Sequence, residues 1–182
     1  MALSIMPAHD TTVATEQLLT FRLGLDEYGI SILRVREIAE FPRLTPIPGR
    51  PAWMRGVMNL RSTVVPVVDL AAKLGLGMTI PSRLTCVIIV DLELEGERNI
   101  VALMVDAVQR VVDINVAEIQ PAPPFGMAVD IIPGILRVDG QLITLLDLAA
   151  IVARSEVEGL GELLKTTRDG AETPGEATGE GR

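Results

Sequence analysis

Gly56-Val57-Met58-Asn59-Leu60-Arg61-Ser62-Thr63-Val64-Val65-Pro66-Val67-Val68-Asp69-Leu70 is the stretch on which the fold turns. Val64, Val65, Val67 and Val68 are stiff at χ1 and suit a pleated surface better than a helix. Pro66 has no N–H to give to a ladder, so it belongs on an edge strand or at a bulge. Asp69 fits a helix N-cap, with Ala71, Ala72, Lys73 and Leu74 as good helix formers behind it. The stretch predicts a turn, an edge strand and a short helix, with Asn59 and Arg61 at the strand's entrance.

The same sentence recurs from Gly134 to Ala150. Gly134 precedes Asp147 by the spacing that separates Gly56 from Asp69, and Asp-Leu-Ala-Ala is repeated letter for letter. Upstream, Ile30 to Ile38 lays over Ile100 to Val108 with apolar residues in register, which pairs Val35 with Val105. The two offsets differ by eight residues, so the second half carries an insertion between its blocks. A repeat of this length predicts two similar β modules. Each is too small to bury enough surface alone, so the two should share an apolar seam. The strands around Ile32–Val35 and Val101–Val105 are the expected seam.

Composition bounds the possibilities. Of 182 residues 48% are apolar but only 3% are aromatic, which predicts a core of Val, Ile and Leu. A net charge of −8 argues against nucleic acid as a main partner, because phosphate neutralisation needs clustered Lys and Arg. The single cysteine, Cys86, lies in an apolar run and reads as a small buried hydrophobe. It cannot form a disulfide within the chain, which fits a reducing cytoplasm. Met1 to Thr15 lacks the charged and apolar regions of a signal peptide, and no apolar run reaches the ~20 residues of a spanning helix.

In chain order, residues 1–15 read as a frayed tail, followed by a hairpin over Leu18–Leu33. Arg34 to Phe41 fits a short strand or a turn of helix. Pro42, Pro46, Pro48 and Pro51 then punctuate a loop. Gly75 suits a left-handed helix stop, and Pro81 marks the boundary between modules. A second strand set runs from Thr85 to Ile114, and Pro121 to Gly126 mirrors the earlier proline loop. Past Ala153 the composition is that of a disordered acidic tail. The expected division is tail 1–15, first barrel 16–80, second barrel 81–153 and tail 154–182.

Catalytic readings fare badly. The one histidine, His9, lies in a tail, so neither a Ser/His/Asp nor a Cys/His constellation can be assembled. Zinc would have to be held almost entirely by carboxylates. Asp69 and Asp147, standing before Leu-Ala-Ala in both copies, read as helix caps and not as an acid/base pair. Arg61 is the residue to single out. Its planar guanidinium can hold a loop or meet a partner carboxylate bidentately, although an ordinary solvated arginine is the commoner case. Val35 and Val105 read as core packing or, more sharply, as an exposed apolar groove.

Taken together, Phe21-Arg22-Leu23, Tyr28-Gly29-Ile30, Val35-Arg36-Glu37-Ile38, Ile47-Pro48, Gly56 to Arg61 and Val65 to Leu70 resemble the CheW family of bacterial chemosensory coupling proteins. Val105 to Val108, Pro121 to Gly126 and Leu145-Leu146-Asp147 continue the likeness, which covers roughly Glu16 to Ala153. The resemblance implies two tandem five-stranded SH3-like β-barrels packed through a shared apolar core, with short terminal helices. It implies a cytoplasmic adaptor, recruited to membrane-attached receptor arrays, with no catalytic activity, cofactor or metal. Its implied partners are the tip of methyl-accepting chemoreceptors and the regulatory domain of the histidine kinase CheA. Carried over by motif, the expected receptor- and kinase-binding residues are Val35, Glu37, Gly56, Asn59, Arg61 and Val105. Ser62 and Ala107 stand where the family usually has glycine. An adaptor for pili or gene regulation is open on the same residues, and a small-molecule-binding barrel is the rival from another class.

Overall fold

The computed structural model describes residues 14–94, 96–122 and 130–153. Residues 1–13 of the expected first tail, including His9, the expected tail 154–182 and the Pro123–Gly126 part of the second proline loop lie outside the described residues, and Thr15, expected in the tail, already opens a strand. Among the described residues, ten strands and two short α-helices follow one another: β1 (Thr15–Leu23), β2 (Asp26–Ser31), β3 (Val35–Glu40), β4 (Met54–Leu60), β5 (Thr63–Asp69), α1 (Leu70–Lys73), β6 (Cys86–Leu94), β7 (Glu97–Val105), β8 (Ala107–Asn115), β9 (Ile135–Val138), β10 (Gln141–Leu145) and α2 (Leu148–Ala153).

The strands form two five-stranded sheets, β8-β1-β2-β10-β9 (barrel A) and β3-β6-β7-β5-β4 (barrel B). Moving five strands along the chain converts one order into the other, so the duplication read from the sequence is real at the level of topology. Each sheet carries one parallel pair, β2 with β10 and β5 with β7. Each curls around its own apolar filling. Leu18, Val112, Ile114, Leu136, Ile143 and Leu145 fill barrel A, and Met58, Val65, Val67, Val87, Ile89, Ala102 and Met104 fill barrel B. A third and larger cluster lies between them. Leu19, Phe21, Leu23 and Ile30 meet Ile88, Val90, Val101, Leu103 and Val105 there, with Leu70, Leu148 and Ile151 from the helices. This is the shared core, and Val101, Leu103 and Val105 sit in it as expected.

The strands are not shared out at residue 80. Barrel B is the unbroken run β3 to β7, and barrel A is assembled from the two flanks, β1–β2 and β8–β10. The chain crosses between barrels twice. A single 3₁₀ turn, Ile32–Arg34, makes the first crossing, and Asp106 makes the second. Hairpins β1–β2 and β6–β7 are closed locally, so nothing in their own residues states which barrel they join. The overlay of Ile30 on Ile100 is also one residue short. The hairpins close at Leu23–Asp26 and at Leu94–Glu97, an offset of 71 residues. Val35 and Val105 are therefore not equivalent: Val35 opens β3 and Val105 closes β7.

Two local readings also change. Gly56 to Leu60 is strand, not turn, because it pairs antiparallel with Thr63 to Val67 of β5, and Thr45 adds a bridge to Val57 through both backbone groups (2.9 Å each) on its other side. Pro66 lies on β5, an interior strand flanked by β4 and β7. Since Val57 gives both its backbone groups to Thr45, its cross-strand partner Pro66 turns its own backbone away from β4. It faces β7 where that pairing begins, at Val67. The absent N–H thus falls at a ladder's end.

Candidate functional site

The β4–β5 hairpin has a two-residue turn, Arg61-Ser62, closed by the Leu60–Thr63 pair. Both residues have positive φ, 48° and 73°. That is the pattern of a type I′ turn, whose twist matches the flanking strands but which costs a residue with a Cβ about 1–2 kcal/mol. Asn59 offsets the strain: its Oδ1 accepts the Ser62 backbone N–H at 2.8 Å. A glycine at position 62 would relieve the turn. Here the asparagine holds it instead.

Held in this way, Arg61 reaches across the barrel. Its Nη2 lies 2.6 Å from Oε2 of Glu37 on β3. Strands β3 and β4 are the two margins of the sheet, so the ion pair joins one margin to the turn at the end of the other. Glu37 is partly covered, 31% exposed, whereas Arg61 is 81% exposed. The guanidinium therefore keeps donors free for a partner while one carboxylate fixes its direction.

Barrel A contains the counterpart. Asp139-Gly140 closes the β9–β10 hairpin, again with positive φ at both residues. Arg110 Nη1 on β8 lies 2.8 Å from Asp139 Oδ2. Arg61 and Asp139 thus hold the same turn position with opposite charge, and their partners on β3 and β8 are reversed to match.

All six expected residues belong to barrel B, but they divide into two groups. Val35, Glu37, Asn59 and Arg61 have accessible surface. Gly56 is buried with φ +135°, and a Cβ there would run into the carbonyl oxygen of Thr45. Its requirement is steric, and Gly134 meets Gln120 in the same way. Val105 is 0% exposed. β7 is an interior strand whose Val105 points into the shared core, so this residue packs the barrels together and offers no contact surface. Leu33 and Arg34, in the 3₁₀ turn beside Val35, are exposed and were not singled out in the sequence. No sequence signal marks them, because the crossing between barrels is legible only in the strand order. Arg34 also lines an open cleft of about 360 Å³ between the barrels, with Ile30, Leu92, Leu145 and Leu148.

The Asp-Leu-Ala-Ala copies are helix caps. Asp69 Oδ1 accepts from Ala72 N at 3.1 Å and Asp147 Oδ1 from Ala150 N at 3.0 Å. Asp147 is exposed, but Asp69 is fully buried and does more. It also accepts the backbone N–H and the hydroxyl of Thr79, both at 3.0 Å, and faces Arg55 at 3.6 Å. Burial raises the Cys86 thiol above its ordinary value, against a hydrogen bond with the Val108 backbone that lowers it. Among the described residues no cluster of His, Cys, Asp and Glu is placed to hold a metal ion, and no helix is long and apolar enough to cross a membrane.

Residues 17–156 match the family model described as a CheW-like domain. The chain belongs to the CheW-like family. It is 35% identical over 144 residues to the "Probable chemotaxis protein CheW" of Rhizobium etli, covering 78% of this chain and 90% of that one. It is 32% identical over 153 residues to the chemotaxis protein CheW of Rhizobium meliloti, covering 83% and 96%. Among solved structures it is similar to the scaffolding protein TtCheW of Thermoanaerobacter tengcongensis, with a TM-score of 0.68 and 30% identity over 79% of this chain and 91% of that chain. The CheW-like match begins in β1 and ends just past α2, so it spans both barrels and the shared core.

Proposed function

We propose that this chain is a non-catalytic adaptor coupling methyl-accepting chemoreceptors to the histidine kinase CheA in a chemosensory array. It acts in the cytoplasm, brought to the membrane by the receptors it serves. The observation that carries the reading is the Arg61–Glu37 pair: an exposed guanidinium, aimed by a carboxylate and a locked turn, on a barrel margin of a CheW-like chain. Such a group recognises geometry and charge and needs no reactive neighbour. Val35, Glu37, Asn59 and Arg61 form the contact region, with Gly56 and Val105 setting the backbone and barrel packing beneath it. The cleft beside Arg34 suits an apolar helix, and the margin of barrel B suits a second β domain.

Kinase autophosphorylation in receptor-containing membranes tests the proposal. Adding the purified protein should bring the kinase under receptor control, so that receptor ligand changes its rate. An unchanged rate with and without the protein would reject the adaptor role.

A further inference from the structure

We infer that residues 159–164 dock back into the cleft between the barrels beside α2, and that a receptor helix has to displace them. The contact stands without the adaptor reading, whereas the competition rests on it. Among the described residues two clefts of about 360 Å³ correspond by the internal duplication. One is lined by Ala71 of α1, Arg22 of β1 and Asp106 at the second crossing. The other is lined by Ala149 of α2, Glu93 of β6 and Arg34 at the first crossing. Arg22 and Glu93 stand 71 residues apart, the offset of the two hairpins. The clefts differ in one wall. After α1, Gly75 and Gly77 have φ 76° and 100° and turn the chain back, so that Thr79 reaches Asp69 at the head of the helix. Leu76, Met78 and Ile80 then border the cleft. After α2 the described residues end at Ala153, before any equivalent segment.

The sequence identifies that segment. Gly-Leu-Gly occurs twice in the chain, at 75–77 and at 159–161, each time downstream of Asp-Leu-Ala-Ala. Leu160, Leu163 and Leu164 are spaced for one face of a helix, in a tail otherwise rich in Glu and Gly, and Lys165 and Arg168 follow them. The cleft beside α2 offers the complement: Leu145 and Leu148 with three carboxylates, Glu16, Glu93 and Asp147, against the one Arg34. Where the Asp69 side chain also holds Thr79, the Asp147 side chain accepts only the Ala150 N–H among the described residues. Seven residues carry the chain from Ala153 to Leu160, a reach of about 25 Å at most when extended. Helix α2 is six residues long, about 9 Å, so the segment returns to Leu148 with chain to spare. The tether gives it an effective concentration in the mM range, and a weak contact suffices.

A spin label at Thr166→Cys in the full-length Cys86→Ala protein tests the contact by paramagnetic broadening of backbone amide signals. Those of Leu145 to Ala149 and of Glu93 should broaden, and adding Leu160→Ser/Leu163→Ser/Leu164→Ser should remove the effect. Melting temperatures establish that the variants fold. Absence of broadening there, or broadening that survives the three serines, overturns the inference. So does broadening carried from a labelled copy to an unlabelled, isotope-enriched one, which would place the segment in a second molecule. The full-length triple-serine variant should bind receptor-containing membranes about tenfold more tightly than the wild type, as expected when about nine-tenths of the clefts are occupied. Equal affinities overturn the competition. Failure of both proteins to bind overturns the adaptor reading, while the broadening still decides the contact.

Discussion

Arg61 Nη2 and Glu37 Oε2 lie 2.6 Å apart and tie together the two margins of barrel B. The pair contributes little to stability, because an exposed arginine in high dielectric gains little from its partner. Arg61→His should shift the unfolding free energy by less than about 1 kcal/mol. It should reduce receptor control of the kinase much more. Urea unfolding beside a receptor-coupled kinase assay separates the two, and outright unfolding of the variant would make the arginine structural.

Barrel A carries the same closure with charges reversed, Arg110 to Asp139. Exchanging the pair in barrel B, Glu37→Arg with Arg61→Glu, should therefore preserve folding. Kinase control should still be lost, since the exposed member of the pair has changed sign. A swap that restores full coupling would show that closure alone is what the pair provides.

The turn itself is measurable. Ser62 holds φ 73° where Gly140 holds φ 82° in barrel A. Ser62→Gly should stabilise by about 0.5 kcal/mol, the relief of left-handed strain less the added chain entropy. Gly56→Ala goes the other way. The Thr45 carbonyl is in its path, and we expect a loss above about 2 kcal/mol with binding lost as a consequence. Thermal melts of the three proteins give the order.

The two aspartate caps should differ by their surroundings. Asp147→Ala removes a surface cap and should cost about 1 kcal/mol. Asp69→Ala leaves the buried Thr79 without its acceptor and the half-buried Arg55 without its carboxylate, and should cost about 2–3 kcal/mol. Equal losses would mean that the burial of Asp69 has no energetic weight.

Cys86 titrates in a direction set by burial. Its raised value means that the folded state favours the neutral thiol. The associated stability is present below the ordinary thiol range and is lost as pH rises through the folded value. Labelling by a thiol reagent near pH 8 should be slow in the native protein and rapid in denaturant. Fast native labelling would contradict the partial burial of Cys86.

What the sequence disclosed and what it withheld follow physical lines. The Asp-Leu-Ala-Ala repeat exposed the duplication because a helix cap is a local device with a local signature. Asn59 and Arg61 were visible for the same reason. The sharing of strands was not, because alternation says which face of a strand is buried and not which strand lies beside it. The hairpin holding Leu18 and Ile30 could have joined either barrel on its own pattern. Val105 lies in the seam that the sequence predicts, and its complete burial depends on the packing of two distant strand sets, which no local pattern states. Pro66 suggested an edge because its ladder ends are set by Thr45, far away in the chain.

Co-sedimentation of the kinase with receptor-containing membranes, with and without this protein, tests the bridging role most directly. Kinase should enter the pellet together with this protein, and both amounts should fall with Arg61→His. Kinase that pellets equally well in its absence, or this protein remaining in the supernatant throughout, would contradict the account.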